Sequence, residues 1–134
     1  MRVARAPQAY QQTQVLGSDP RQLVVLMCQA LVRFLERADR AIRREDFEAK
    51  AEALFRAQSV LSELGCSLDA AAGSDLAANL RRLYAGLARR IAEVDLSDDL
   101  ELLGEVTASA RRLAETWEEA LRLCLEAERE QRAP

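Results

Sequence analysis

Apolar residues recur every three or four positions along most of this chain, and the recurrences fall into four blocks. In the first, from Pro20 to about Arg44, Leu23, Met27, Ala30, Phe34, Ala38 and Ala41 step along one helical face. A second row, Val24, Cys28, Leu31, Leu35 and Ile42, lies beside it, so this helix is apolar over more than half its girth. Such a helix either sits centrally in a core or leaves a surface for a partner. Asp19 is placed to cap it, Pro20 suits its first turn, and Gln22 falls three after the cap as in a capping box. The stretch "REDF" then breaks the pattern, with Asp46 as the next cap.

The second block, about Phe47 to Leu68, carries Phe47, Ala51, Leu54, Leu61, Leu64 and Leu68 on one side, widened by Ala53, Ala57 and Val60. Alanines let a packed neighbour come close and leave a shallow trough wherever no neighbour sits. "AAAGSD" supplies Gly73 as a stop and Ser74 as a cap. Leu76, Leu80, Leu83, Leu87, Ile91 and Val94 form the third stripe, with Tyr84 beside it. "DLSDD" reads as the third turn, Ser97 capping and Asp98 and Asp99 lying at the positive end of the next helix. The fourth block carries Leu103, Val106, Ala110, Leu113, Trp117, Leu121 and Cys124; after Glu126 the polar "AEREQRAP" predicts a frayed tail.

Helices of this length, each ~30 Å or longer, joined by short connections become antiparallel neighbours. The pattern predicts an all-α fold, an antiparallel up-down-up-down four-helix bundle. It divides the chain into a partly disordered N-terminal capping segment (1–18), the bundle (19–128) and a flexible tail (129–134).

Composition narrows the function. The 134 residues carry a net charge of −3, so no global basic field recruits nucleic acid or anionic lipid. No apolar run approaches the ~20 residues of a membrane span, and the N-terminus lacks the apolar core of a signal peptide. The chain reads as soluble and cytoplasmic, without direct membrane insertion. It has no histidine, which removes the Glu-x-x-His ligands of a di-iron bundle and the base of a Cys-His or Ser-His arrangement. Cys28, Cys66 and Cys124 are widely spaced and read as reduced, buried apolar groups. No glycine-rich loop cradles phosphate. These observations predict no enzyme, no metal and no cofactor.

The run "ERADRAIRRED" looks basic, yet Glu36 precedes Arg40 by four and Asp39 precedes Arg43 by four, the spacing of salt-bridged helix pairs. In "RRLYAGLARR", arginines bracket Tyr84 and the helix-interior Gly86, which costs about 1 kcal/mol relative to Ala. Gly86 fits either a close approach by another chain or simple tolerance on an exposed face. Trp117, the only Trp, reads as core. Ahead of the first helix, "AYQQTQVL" sets Tyr10, Val15 and Leu16 around hydrogen-bonding side chains without a helical stripe. Physically, such a segment folds back over part of an apolar groove.

"AYQQTQVLGSDPRQLVVLM", "RFLERADRAI", "KAEALFRAQSVLSEL", "LAANLRRLYAGLARRIAEVDL" and "LAETWEEAL", in this order and spacing, resemble the flagellin export chaperone family, FliS, over about Ala9 to Leu121. The resemblance implies a cytoplasmic chaperone. It would bind the disordered C-terminal region of flagellin, prevent premature polymerisation and deliver the client to an export-gate component of the flagellar type III secretion apparatus. It also implies that the N-terminal segment caps one end of the client groove and is displaced by the client.

Tyr10 matches the family's N-terminal tyrosine, tied to the cap and to gate docking, and Gln12, Thr13, Gln14 and Val15 continue that motif, with Leu16 adjoining. Leu76, Asn79, Leu80, Leu83, Tyr84, Arg89 and Arg90 match the third-helix block; with Leu87, its apolar and amide positions are assigned to the groove. The chain departs from the family pattern at Pro7, at "AAAGSD" and at "LYAGL", where Ala85 and Gly86 replace an Asp and an aromatic residue. The resemblance fits a monomer or weak homodimer when free. The rival expectation is a structural or regulatory bundle that buries its excess apolar surface by homodimerising.

Overall fold

The computed structural model describes residues 19–68 and 74–133. Four helices follow one another: α1 (Pro20–Arg43), α2 (Phe47–Leu68), α3 (Asp75–Ser97) and α4 (Leu100–Arg132). They pack in a ring, α1 on α2, α2 on α3, α3 on α4 and α4 back on α1, which is the predicted antiparallel bundle. α1 makes the two most extensive interfaces and the α3–α4 seam is the least extensive. This is why α1 needs an apolar stripe wider than half its girth: it presents one face to α2 and another to α4. Leu31, Leu35, Leu64, Leu87, Ile91 and Leu103 fill the middle of the core.

The helix boundaries follow from local chemistry. The Asp19 carboxylate accepts from the Arg21 backbone N–H at 2.9 Å and Pro20 opens α1. The Asp46 carboxylate accepts from Ala49 N–H at 3.1 Å, and the Ser74 hydroxyl accepts from Ala77 N–H at 3.0 Å. The third turn differs from the sequence expectation. α3 runs through Ser97, whose hydroxyl donates back to the Glu93 carbonyl at 2.8 Å, and Asp99 caps α4 by accepting from Leu102 N–H at 3.1 Å. Asp98 ends α3 in the left-handed region at φ 56, a conformation that Asp tolerates better than most residues. Its carboxylate is held there by Lys50 Nζ at 2.6 Å, while the same ammonium donates to the Asp95 carbonyl at 3.0 Å. Lys50 is only 8% exposed, so this contact bolts the α1–α2 turn to the α3–α4 turn.

Other expectations also shift. Phe47 and Ala51 lie at the solvent side of α2, not in its core stripe. Asp39 pairs with Arg43 at 2.6 Å as the spacing predicts, but Glu36 bypasses Arg40 and accepts from Arg111 of α4 at 2.6 Å. Of the cysteines, only Cys28 is buried; Cys66 and Cys124 are exposed. α4 stays helical past Glu126 to Arg132, because Arg122 clips Glu126 at 2.6 Å and Arg21 of α1 grips Glu128 at 2.8 Å.

Candidate functional site

The bundle closes firmly at the end carrying the Lys50 bolt and opens toward the other. Arg90 and Glu105, 3.5 Å apart, mark the flank of α3 that faces α4. Leu76, Leu80, Leu83, Leu87 and Val94 share that flank at helical spacing. Their exposure changes along it. Leu87 and Val94 are buried, Leu83 is 40% exposed and Leu76 is 64% exposed. An unbroken apolar row therefore leaves the core as it approaches the start of α3.

The facing wall of α4 runs from buried Leu113 through half-buried Trp117 to exposed Ala120 and Cys124. With Arg90 opposite Glu105, the antiparallel register brings Asp75 level with Ala120, so the last turns of α4 extend beyond α3. Among the described residues the seam is thus a groove with apolar walls, open toward the end where α1 begins.

At that end the groove meets a cavity of about 280 Å³ lined by Pro20, Val24, Leu64, Leu68, Tyr84 and Trp117, with Arg21 at its rim. Tyr84 forms its inner wall and is 5% exposed. Burial pushes the Tyr84 phenol up to about 12, against the pull of a hydrogen bond from the Trp117 indole. The adjacent Cys28 thiol is likewise pushed up to about 12 by loss of water. Neither group is available as a nucleophile near neutral pH; both serve as packing surface. Arg21 forks between Asp19 and Glu128, and its guanidinium holds both carboxyls below the usual range.

Leu76, Asn79, Leu80 and Leu83 therefore lie along the open seam, Asn79 exposed and Leu80 half-buried, while Tyr84 walls the cavity and Leu87 belongs to the core. Tyr10, Gln12, Thr13, Gln14, Val15 and Leu16 lie outside the described residues. Sequence reasoning missed the contributions of Val24, Leu64 and Leu68. The sequence places all three on the apolar stripes of the first and second helices, but periodicity does not say which members of a stripe a neighbour leaves uncovered.

The described residues thus form an all-helical bundle with an apolar seam open toward one end. The family model for the flagellar protein FliS matches residues 3–123, and the chain belongs to that family. It is 28% identical over 113 residues to the flagellar secretion chaperone FliS of Bacillus subtilis, covering 84% of both chains. It is 32% identical over 122 residues to the flagellar secretion chaperone FliSB of Pseudomonas aeruginosa, covering 88% of this chain and 97% of the relative. The Escherichia coli FliS is 29% identical over 126 residues, covering 90% and 93%. The family is one of flagellar secretion chaperones and not of enzymes. Among the described residues no helix is long and apolar enough to cross a membrane.

Proposed function

We propose that this chain is a cytoplasmic export chaperone for flagellin. It binds the disordered C-terminal region of the client, prevents its premature polymerisation and delivers it to the export gate of the flagellar type III apparatus. The observation that carries this reading is the apolar row Leu76–Leu80–Leu83, which continues the core outward and which no helix among the described residues covers. A client that orders on binding gives up conformational entropy, and only a long apolar surface offsets that cost. The seam and the cavity beside it supply such a surface, and an amphipathic helix laid there would anchor at helical spacing.

In the free protein, the segment with Tyr10, Gln12, Thr13, Gln14, Val15 and Leu16 is the natural cover. It joins the bundle at Asp19, next to Pro20 and Arg21 at the cavity rim. A cover that must leave lowers the client's apparent affinity by the fraction of time it is closed, which disfavours wrong clients.

The test is calorimetric titration with the C-terminal segment of flagellin from the same organism, followed in parallel by the fluorescence of Trp117. Saturable one-to-one binding, a negative heat-capacity change and a shifted Trp117 emission are expected. A folded protein that ignores the segment and elutes as a tight dimer would replace this reading with that of a homodimerising bundle.

A further inference from the structure

Charge is distributed unevenly around the open seam. Between Asp75 and Glu93, α3 has four arginines, Arg81, Arg82, Arg89 and Arg90, and no acidic residue, in a chain whose net charge is −3. Arg90 is neutralised by Glu105. Arg82 and Arg89 flank the outer edge of the seam, one and six positions from Leu83 on the helix, and are exposed. Arg112 lies on the outer side of α4, level with Leu83 in the antiparallel register set by Arg90 and Glu105. Among the described residues none of these three meets a carboxylate: Arg82 donates to the Asn79 amide oxygen, Arg112 to the Ser109 hydroxyl at 3.1 Å, and Arg89 forms no ion pair. The acidic residues of this part of α4 are engaged or turned elsewhere. Glu118 accepts from Gln29 of α1, and Glu119 pairs with Arg122 at 2.5 Å. The walls of the seam, Leu113, Thr116, Trp117 and Ala120, carry no charge.

From this we infer that the α3–α4 seam selects an acidic amphipathic helix, one whose apolar stripe is flanked by Asp or Glu that meet Arg82, Arg89 and Arg112. The inference rests on the export-chaperone reading for the seam's role and adds the chemistry by which its occupant is recognised. Leucines supply affinity without regard to charge; three arginines without a carboxylate partner supply discrimination, because a basic flank placed beside them meets like charge. Arginine suits the task, since its planar fork can hold a carboxylate through two bonds. The chain's own first 18 residues fit this logic in reverse. They contain Arg2 and Arg5 and no Asp or Glu, so the rim does not favour them as permanent occupants.

The experiment uses the full chain and two synthetic helical peptides of about 18 residues, long enough for ~27 Å of helix. The peptides share one leucine stripe and differ only in carrying Glu or Lys at the flanking positions. Binding is read by calorimetry and Trp117 emission at about 50 and about 500 mM salt. Each exposed pair contributes roughly a 1.4- to fivefold preference. With three pairs the Glu peptide is therefore expected to bind at least about threefold more tightly than the Lys peptide at low salt, with the gap shrinking at high salt.

Arg82→Gln, Arg89→Gln and Arg112→Gln, singly and together, remove the preference in steps while circular dichroism stays unchanged. Equal binding of the two peptides, or a preference that survives the triple substitution, overturns the inference. Flagellin's C-terminal segment is titrated alongside. If it fails to bind while the Glu peptide binds and the arginine variants do not, the function proposed above falls and the selectivity stands. If flagellin binds and the peptides are not told apart, only the selectivity falls.

Discussion

Lys50 offers the sharpest test of how the bundle is held. Its ammonium donates to the Asp98 carboxylate at 2.6 Å and the Asp95 carbonyl at 3.0 Å, and lies over the Phe47 ring, 5.6 Å from nitrogen to centroid. A hydrogen bond to a charged group contributes about 1.5–3 kcal/mol. The Asp98 side chain is 38% exposed and regains water when the partner is lost, which places the cost near the lower bound. Lys50→Met keeps most of the buried stem and should cost about 1.5 kcal/mol; Lys50→Ala also loses the stem and should cost about 2.5 kcal/mol. For a domain of this size the melting temperature should fall by about 5 °C and about 9 °C respectively.

Thermal unfolding followed by circular dichroism measures this, and Asp98→Asn completes a double-mutant cycle. The hydrogen bond to Asp98, chiefly, raises the Lys50 pKa above its ordinary value. The stabilisation is therefore complete below the unfolded pKa of about 10.4 and is lost as pH rises through the higher folded value. Wild type and Lys50→Met should converge in strong alkali. An unchanged melting temperature in Lys50→Met at neutral pH, or a difference that persists unaltered above that range, would refute the reasoning.

Other expectations are equally direct. Gly86→Ala meets only Arg89 Nη2 at 3.8 Å, so it should stabilise the free protein by about 1 kcal/mol; if Gly86 admits a client backbone, the same variant binds the flagellin segment less well. A thiol reagent should modify Cys66 and Cys124 quickly and Cys28 only after unfolding, since Cys28 is fully buried and its thiol is pushed up to about 12; three fast thiols would contradict the packing. Tyr84→Phe should remove a late phenol titration near 12 from the alkaline absorbance curve and leave helicity intact; loss of a titration near 10 instead would place Tyr84 in water. Deleting residues 1–16 should leave the bundle folded but raise light scattering, whereas an unfolded truncation would make the segment part of the core.

Most helix starts were legible because capping is local: Asp19, Asp46 and Ser74 each satisfy an N–H two or three residues ahead. The third turn was not, because Ser97 and Asp99 are both competent caps and the choice depends on Lys50, nearly fifty residues earlier, gripping Asp98. The third stripe shows the same limit differently. Periodicity places Leu76, Leu83 and Val94 on one face, but it says nothing of whether a neighbour covers that face at each level. Register and helix length decide that, and they depend on all four helices together. Cys66 and Cys124 were misplaced because composition gives a preference for burial, not an address. The arginine rim was readable as a run without acids, but which arginines lack a partner depends on contacts between helices, as Arg90 with Glu105 shows.

The position of α4 has a consequence for how the protein is made. α1 takes its second neighbour from the far end of the chain: Glu36 meets Arg111 and Arg21 meets Glu128. During synthesis the α1–α2 hairpin can form early, since its contacts are local. The second wall of the seam is the last of these four helices to be translated, so it reaches α1 only after α2 and α3 have been made. A half-made chain therefore displays the apolar face of α1 without a finished groove, and the time between those events is when this protein itself is most exposed to misassembly.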